Sequence, residues 1–462
     1  MLLGPLTQKV RNIHLIGIGG AGMSGIAEIL LNTGFTVTGS DVQMTPVTER
    51  LKSLGATIYQ GHVPENVAAC DVVVYSSAVR ENNPEIVAAR ERKIPIIKRP
   101  EMLAELMRMK YGICIAGTHG KTTTTSMTGR VLTRGDIDPT IIVGGKVTDF
   151  GGGAKIGQSH YLVLEADEYD RTFLRLTPVI AVVTNIDLEH LDCYHDIEDI
   201  KSAFLQFVNK VPFFGSVILC IDDHGVQSIL PQVERRIITY GFSRQADVRA
   251  ENPVFRELHT TFDVFCFGRA MGTVSLNTIG YHNVRNALAA ITVAREMDVP
   301  FDVAAQALAE YTPVERRFQI VGEESGILVV DDYAHHPTEI IASLEGIRTG
   351  FDRRIVAVFQ PHLYSRTRDF YSDFGRAFMD SDILFVTGIY PSRETPIEGV
   401  TGRLVSDAAV AAGHKNVSYF EDADELVPEV ERVMKSGDIV VTFGAGDINR
   451  IGRRLVDYLK AK

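Results

Sequence analysis

A short glycine loop at residues 117–123 narrows the possible folds more than any other part of the sequence. An apolar run at 113–116 precedes the loop, and a helix-compatible segment at 124–133 follows it, with Gly135 placed to end the helix. Glycines let backbone N–H groups approach an anion, and the N-terminus of a helix adds its dipole. The pattern predicts a strand, a phosphate-binding loop and a helix.

The end of this loop has the chemistry of a nucleoside triphosphate site. A lysine in this place neutralises charge on the β- and γ-phosphates, and the hydroxyl of Thr122 can ligate Mg²⁺. Only two residues separate Gly117 from Gly120, fewer than in the common phosphate loop, and an ordinary glycine turn is the alternative. The candidate contacts to ATP are Gly117, Thr118, His119, Gly120, Lys121, Thr122 and Thr123.

Length and composition limit the class of protein. A chain of 462 residues suggests about three domains. The net charge of −11 argues against nucleic acid as a partner, and no apolar run approaches membrane-spanning length. The five cysteines are scattered and odd in number, and the first residues lack a signal-peptide core. We therefore expect a cytoplasmic protein with no membrane partner.

A second glycine turn lies near the start of the chain. Gly17, Gly19 and Gly22 fit the G-x-G-x-x-G pattern, and Asp41 follows the next predicted strand, where a ribose hydroxyl is usually held. A dinucleotide site and a close-packed βαβ turn both explain this pattern. Farther along, two serines at 76–77 end a predicted strand, as ligand contacts or as caps.

Acids and a histidine follow two more predicted strands, 161–165 and 179–184. In a parallel sheet these strand ends share an edge with the phosphate loop. Because carboxylate oxygen and histidine beside a triphosphate suit Mg²⁺, we expect this group of acids and His190 to ligate the metal. Taken singly, each acid is explained as a solvated loop residue and His190 as structural. Two asparagines three residues apart at 283 and 286 are helix caps or nucleotide contacts.

The last third of the chain repeats a strand–helix rhythm. This alternation is typical of a doubly wound sheet, with predicted strands at 327–330, 354–359, 383–387, 417–420 and 439–443. Polar residues, many of them histidines, crowd the ends of the first two strands at 331–337 and 360–366. Hydrogen-bonded turns would explain these histidines singly, but their density at strand ends indicates a site.

Together these motifs resemble the Mur ligases, ATP-dependent enzymes that build the peptide stem of the bacterial cell wall. The resemblance covers the whole chain and is carried by 17–24, 117–125, 165–168, 184–192, 282–286, 316–318 and 331–337. It implies an α/β protein of three domains. These are a Rossmann-like domain for the UDP substrate at 1–110, a P-loop ATPase-like domain for ATP and Mg²⁺ at 111–316, and a doubly wound α/β ligase domain at 317–462.

The resemblance also implies the activity. It implies ligation of L-alanine to the carboxylate of UDP-N-acetylmuramic acid through an acyl phosphate, in peptidoglycan precursor synthesis, by a monomer or weak homodimer. A sister ligase that attaches a preformed murein peptide to the same sugar nucleotide is the nearest alternative. A nicotinamide dehydrogenase would leave Lys121 unused, a motor or switch ATPase would not explain a UDP site, and a non-catalytic nucleotide-binding scaffold remains open.

Roles carry over residue by residue from the resemblance. The implied catalytic residues are Lys121, Glu168, His190 and Arg317, and the implied metal ligands are Thr122, Glu168 and His190. The implied nucleotide contacts beyond the loop are Asn283, Asn286, Arg316, Arg317, Asp332 and Tyr333, with Arg317 or its neighbour Arg316 at the γ-phosphate. The implied substrate contacts are Gly17, Gly19, Gly20, Gly22, Met23, Ser40, Asp41, His62, Ser76, Ser77, His336, His362 and Arg366.

The chain departs from the family pattern in three places. Leu363 stands where arginine is frequent, and the segment 390–394 replaces a more usual alanine–glycine–glutamate run. Sister ligases carry a carbamylated lysine that ligates a second Mg²⁺, and the matching position here is Phe204. Lys201 lies one helical turn away. We therefore expect catalysis without a modified lysine.

Overall fold

The computed structural model describes residues 10–76, 78–147, 152–392 and 394–461, and its strands form three sheets. Strand–helix alternation with mostly parallel pairing confirms the predicted α/β class. The chain forms two compact units. The first runs to Glu251 and includes Asp263–Val274 and Arg285–Thr312, and the second contains Asn252–Phe262, Ser275–Val284 and the chain from Pro313. Within the described ranges, no helix is long and apolar enough to cross a lipid bilayer.

The first sheet has five parallel strands in the order β3-β2-β1-β4-β5. Its strands are β1 (Asn12–Ile16), β2 (Thr36–Asp41), β3 (Thr57–Gln60), β4 (Val72–Tyr75) and β5 (Ile96–Lys98). Its helices are α1 (Ala21–Asn32), α2 (Pro46–Ser53), α3 (Pro84–Glu91) and α4 (Arg99–Arg108), with a 3₁₀ turn at Pro64–Val67. Ile16 pairs with both Ser40 and Tyr75, so the first glycine turn lies where the strand order reverses, the usual ligand crevice of such sheets.

The second sheet has ten strands in the order β15-β14-β13-β12-β11-β10-β6-β9-β7-β8. They are β6 (Tyr111–Ala116), β7 (Thr140–Val147), β8 (Gly152–Lys155), β9 (Tyr161–Glu165), β10 (Ile180–Val183), β11 (Ser216–Cys220), β12 (Ile237–Gly241), β13 (Val248–Arg256), β14 (His259–Cys266) and β15 (Arg269–Leu276). Ala116 pairs with Val183, and Ile115 pairs with Glu165. The phosphate loop and both acidic strand ends therefore share one edge of the sheet, as predicted.

Helices cover this second sheet and fill its core. They are α5 (Lys121–Arg134), α6 (Ile197–Val208), α7 (His224–Ile229), α8 (Tyr281–Glu296) and α9 (Phe301–Ala309), with 3₁₀ turns at Tyr169–Arg175 and Leu230–Gln232. On α6, Phe207 stacks on Phe173 and Phe204 packs edge-on against it, and all three side chains are fully buried. Burial of each ring contributes about 2 kcal/mol, so this packing fixes α6 beside the metal-binding candidates.

The third sheet has six strands in the order β16-β17-β21-β18-β19-β20. They are β16 (Gln319–Glu324), β17 (Ile327–Asp332), β18 (Arg354–Phe359), β19 (Ile383–Thr387), β20 (Val417–Phe420) and β21 (Asp438–Phe443). The accompanying helices are α10 (Pro337–Gly350), α11 (Tyr364–Ala377), α12 (Arg403–Ala411), α13 (Ala423–Val433) and α14 (Asn449–Ala461). All five predicted strands are present, and the added β16 is an antiparallel edge strand with few apolar residues.

Candidate active site

The phosphate loop requires glycine at two positions. Gly117 has φ of +130° and Gly120 has φ of +80°, the left-handed region that favours glycine. A Cβ atom on Gly117 would overlap Thr184 Oγ1, and one on Gly120 would lie 2.8 Å from Asn286 Oδ1. Asn286 is itself held by the hydroxyl of Thr124 at 3.0 Å. The loop is therefore packed from behind, and its backbone N–H groups lie at the start of α5.

Residues after β10 hold the loop in place. The N–H of His119 donates to Asn185 Oδ1 at 2.8 Å, and its carbonyl accepts from Thr184 Oγ1 at 2.6 Å. The N–H of Asp187 donates to Thr118 Oγ1 at 2.9 Å, and Asp187 Oδ2 lies 3.3 Å from His119 Nε2. The side chains of Thr118 and His119 thus fix the loop from inside it.

Lys121 forms an ion pair at the mouth of the loop. Its ammonium donates to both carboxylate oxygens of Glu168, at 2.8 and 3.0 Å, and to the carbonyls of Gly117 and Thr118. Burial lowers the pKa of Lys121, but the Glu168 and Asp167 carboxylates outweigh it, so the pKa lies above its ordinary value. A permanent cation therefore lies directly beside the loop.

Three potential metal ligands converge next to this lysine. The ligand atoms of Asp167, Glu168 and His190 all lie within 4.8 Å of one another. His190 Nε2 is 3.6 Å from Glu168 Oε1, and its ring packs edge-on against Tyr169. The hydroxyl of Tyr194 donates to the Glu168 carbonyl at 2.6 Å. The structure thus brings together two of the three predicted ligands.

Glu165, which the sequence-based assignment of roles passed over, belongs to the same site. Burial raises its pKa, while the N–H of Gly144 and the hydroxyl of Thr122 form hydrogen bonds to its carboxylate that lower it. Within the described ranges its Oε1 is buried and has no hydrogen-bond partner. Its position as the last residue of β9, between two loops that carry the other candidates, is the signal that could have identified it.

The positions that bear on a modified lysine lie on α6. Phe204 is fully buried against Phe173 and Phe207, with ring centroids 5.1 Å apart in the first pair. Lys201 lies one turn earlier, and its ammonium donates to Glu198 Oε1 at 2.8 Å. The helix therefore has an aromatic ring at the predicted position and an ion pair one turn before it.

The first glycine turn is held by the end of β2. The N–H groups of Gly17 and Ile18 donate to the Ser40 carbonyl at 2.8 and 3.1 Å, and the N–H of Gly19 donates to Asp41 Oδ2 at 2.9 Å. A Cβ on Gly19 would lie 2.9 Å from the same oxygen. Asp41 therefore binds the turn itself in addition to its predicted place beside a ribose.

A cavity of about 210 Å³ connects the first glycine turn with the acids after β9. Gly22 and Arg99 line one side, and Glu165, Asp167 and Thr172 line another. The Arg99 guanidinium lies so close to Gly22 that any Cβ there would overlap it. This cavity therefore brings a cation and two carboxylates together beside the first glycine turn.

The other predicted substrate contacts of the first domain are spread over several environments. The Met23 side chain is buried in the core, and the N–H of Gly20 donates to the Gly17 carbonyl at 3.1 Å. His62 is half-buried, with Nδ1 2.9 Å from the hydroxyl of Ser40. Ser76 ends β4 at the crevice, and Ser77 lies outside the described residues.

Asn283, the other predicted adenine contact, lies in the first turn of α8. Its side-chain amide donates to the hydroxyl of Thr278 at 3.0 Å and to the carbonyl of Ile279 at 2.8 Å. It is 8% exposed. These bonds fix the loop that leads into the helix.

In the second unit the two adjacent arginines have different partners. Arg316 pairs with Asp331 at 2.9 Å and donates to two carbonyls of the glycine turn 444–446, at 2.7 and 3.0 Å. Arg317 has a longer contact, 3.4 Å to Glu339. Because Arg316 is committed to three structural bonds, Arg317 is the better candidate for a phosphate contact.

Asp332 is the last residue of β17, beside these arginines, and Tyr333 follows it. The Asp332 carboxylate accepts from the N–H of Ala334 at 2.9 Å and from the hydroxyl of Ser343 at 2.8 Å. Burial raises its pKa to about 6, although Arg317 and these hydrogen bonds oppose the shift. The guanidinium of Arg317 lies 5.2 Å from the centre of the Tyr333 ring.

The predicted substrate contacts of the third sheet differ in accessibility. His336 is buried, and its Nδ1 accepts from the N–H of Thr338 at 3.4 Å as the cap of α10. His362 is stacked on Tyr390 at 5.9 Å and lies 3.2 Å from the Arg366 guanidinium. His362 and Arg366 therefore form a half-buried, nitrogen-rich surface.

The two places in this region where the chain departs from the family pattern, Leu363 and the segment that begins at Tyr390, are in contact. Leu363 has φ of +70°, which is strained for a branched residue, and its N–H donates to the Tyr390 carbonyl at 3.0 Å. The backbone carbonyl of Tyr390 therefore holds the strained Leu363 in place between His362 and α11.

Three protein-family models match the chain in sequence. They are the Mur ligase family catalytic domain at 12–111, the Mur ligase middle domain at 115–294 and the Mur ligase glutamate ligase domain at 316–446. The chain is 52% identical over 458 residues to the UDP-N-acetylmuramate–L-alanine ligase of Salinibacter ruber, covering 99% of this chain and 96% of that protein. The ligase of the same name from Geobacter sulfurreducens is 52% identical and covers 98% of both chains.

Solved structures match the fold over nearly its whole length. The UDP-N-acetylmuramate–alanine ligase of Thermotoga maritima aligns with a TM-score of 0.80 at 30% identity, covering 98% of this chain and all of that one. A murein peptide ligase from Psychrobacter arcticus aligns with a TM-score of 0.70 at 27% identity, covering 97% and 98%. The matches confirm the predicted α/β fold of three domains.

Proposed function

The chain belongs to the Mur ligase family, and we propose that it catalyses the ATP-dependent ligation of L-alanine to the carboxylate of UDP-N-acetylmuramic acid. The observation that carries the proposal is the end-to-end identity of about half with proteins named UDP-N-acetylmuramate–L-alanine ligase. The products are ADP, phosphate and UDP-N-acetylmuramoyl-L-alanine, a precursor of peptidoglycan.

We assign a different ligand to the domain around each of the three sheets. Residues 1–110 bind the UDP end of the substrate, residues 111–316 bind ATP and Mg²⁺, and residues 317–462 position the incoming amino acid. The proposed setting is the cytoplasm, with the chain acting as a monomer or weak homodimer and without nucleic acid. The fold supports this division, because each sheet ends in a glycine-containing turn at its ligand edge.

The first step brings two anions together, so it depends on positive charge. The substrate carboxylate attacks the γ-phosphorus of ATP, a new O–P bond forms, and the bond to ADP breaks. Lys121 lies at the mouth of the phosphate loop and neutralises the phosphates. Arg99 lines the cavity by which the carboxylate would approach, and Arg317 is the proposed γ-phosphate contact of the second unit.

The residues around Lys121 fit Mg²⁺. The hydroxyl of Thr122, the carboxylates of Glu165 and Glu168, and the imidazole of His190 are oxygen and nitrogen donors at one sheet edge. The buried, unpartnered Oε1 of Glu165 among the described residues is the observation that favours a missing cation there. When bound, Mg²⁺ neutralises phosphate charge.

The second step forms the amide. The amine of L-alanine attacks the carbonyl of the acyl phosphate, a C–N bond forms, and the C–O bond to phosphate breaks. His362 and Arg366 are the proposed contacts to the alanine carboxylate, because the Arg366 guanidinium donates to His362 Nδ1 at 3.2 Å, which keeps this cation beside the half-buried His362 ring. An acyl phosphate hydrolyses readily, so water must be excluded before it forms.

Ligand titration and substrate omission test this proposal. Calorimetric titration should show binding of UDP-N-acetylmuramic acid and none of NAD, which the first glycine turn alone would also permit. ATP turnover should require both the sugar nucleotide and an amino substrate. Tight NAD binding without UDP-sugar binding, or ATP turnover independent of the sugar nucleotide, would overturn the assignment.

The second candidate function is ligation of a preformed murein peptide to the same sugar nucleotide. The alignment with the murein peptide ligase of Psychrobacter arcticus over almost the whole chain is the observation that favours this second candidate. Both reactions share the acyl phosphate and differ only in the amine that attacks it.

A further inference from the structure

A buried carboxylate organises the ligand edge of the first sheet. Glu85, in the first turn of α3, is fully buried and accepts hydrogen bonds from Ser40 Oγ and Asn66 Nδ2, each at 2.6 Å. His62 Nδ1 lies 3.2 Å from it, and His14 Nε2 lies 3.5 Å from it. Burial raises the pKa of Glu85, but hydrogen bonds from His14, Ser40 and Asn66 outweigh it, so the carboxylate is ionised.

The hydrogen bonds of Ser40 determine which ring nitrogen of His62 carries the hydrogen. A serine hydroxyl has one hydrogen, and that of Ser40 is donated to Glu85. The Ser40 oxygen can therefore only accept from His62 Nδ1, which is 2.9 Å away. Because Nδ1 carries the hydrogen, this tautomer of His62 presents Nε2 as a hydrogen-bond acceptor.

The position of His62 matches the base end of a bound nucleotide. In this fold the glycine turn after β1 takes the phosphates and the acid after β2, here Asp41, takes the ribose. Ser40 immediately precedes Asp41, and His62 follows β3, the next strand outward. The side chain of His62 is 20% exposed, whereas Glu85 is completely enclosed. His62 can therefore touch a ligand, and Glu85 can act only through its neighbours.

We propose that Glu85 is a positioning residue that holds His62 with Nε2 ready to accept the imide N–H of uracil. The inference rests on the proposed function, because it takes the substrate to be UDP-linked. Uracil has an N–H at ring position 3, whereas cytosine has a lone pair there. An acceptor at His62 therefore selects UDP-linked over CDP-linked ligands.

Substitution of Glu85 by glutamine tests this directly. The amide nitrogen of Glu85→Gln is a donor, so the hydroxyl hydrogen of Ser40 can turn towards His62 and reverse its tautomer. Wild-type protein should bind UDP at least about tenfold more tightly than CDP in calorimetry, the worth of one hydrogen bond. In Glu85→Gln that ratio should fall towards one, and the KM for UDP-N-acetylmuramic acid should rise with kcat and the KM for ATP unchanged.

Matched variants separate positioning from folding. Glu81→Gln, at an exposed acid four residues earlier, should keep the wild-type UDP:CDP ratio. His62→Ala should lose the ratio as Glu85→Gln does, with the carboxylate of Glu85 still present. An unchanged ratio in both Glu85→Gln and His62→Ala, or equal weakening of UDP and CDP, would overturn the inference while normal ligation keeps the proposed function. Failure of the wild-type protein to turn over UDP-N-acetylmuramic acid would instead remove the proposed function.

Discussion

Among single residues, Lys121 is the one on which we expect the proposed chemistry to depend most directly. Lys121→Ala should reduce ATP-dependent ligation by on the order of 10²-fold or more, because it removes the cation beside the phosphates. Initial rates of phosphate release measure this, with Lys52→Ala as a control for loss of an exposed lysine. Near-normal turnover by Lys121→Ala, with circular dichroism like that of the wild type, would refute the role.

Asp332 should make stability depend on pH. Its pKa is raised to about 6 from an ordinary 3.8, so its contribution is fully present below 3.8 and is lost as the pH rises through 6. The free energy of unfolding of the wild type relative to Asp332→Asn should fall by about 2 kcal/mol between pH 4 and pH 7. Urea unfolding of both proteins at each pH measures it. A difference that is constant with pH would show that Asp332 is not held in this way.

Some residues of the site could be predicted from sequence and others could not. The glycines of the phosphate loop were predictable, since few other residues tolerate their φ angles. The acids of 165–168 were predictable only as a group, because which carboxylate pairs with Lys121 depends on side-chain packing. Arg316 and Arg317 are adjacent and identical, so only their partners in the fold distinguish them.

At the scale of elements, α6 bears on whether a modified lysine takes part in catalysis. Phe204, the residue that the sequence analysis matches to the modified lysine of sister ligases, is buried against aromatic rings. Lys201→Ala should therefore retain most turnover, because its ammonium pairs only with Glu198 among the contacts described. Activity should also survive removal of bicarbonate. A collapse of activity in Lys201→Ala that bicarbonate or short carboxylic acids rescue would contradict this.

Most strands were predictable because their interiors are continuous apolar runs of buried parallel sheet. The exception among the strands of the third sheet is β16, an antiparallel edge strand whose polar sequence carries little periodic signal. No local sequence pattern predicts that β16 pairs with β17. The structure shows this pairing, with Gln319 opposite Asp331. Edge strands therefore set the limit of the sequence-based assignment.

At the scale of the whole molecule, the fold follows from three repetitions of one plan. Each sheet places a glycine-containing turn at the carboxyl ends of parallel strands, where ligands bind in α/β proteins. This plan was readable in the sequence because glycine turns and apolar runs are local signals. The choice between UDP and a nicotinamide was not readable from the first turn alone, and the proposed UDP site rests on the family match.

The identity of the attacking amine is the most direct test of the proposed ligation. Phosphate release should be measured with ATP, Mg²⁺ and UDP-N-acetylmuramic acid, adding L-alanine or the tripeptide L-alanyl-γ-D-glutamyl-meso-diaminopimelate. We expect rapid release with L-alanine, background release with the tripeptide, and a product enlarged by one alanyl residue in mass spectrometry. Release that depends on the tripeptide and not on L-alanine would contradict the assignment and identify a murein peptide ligase.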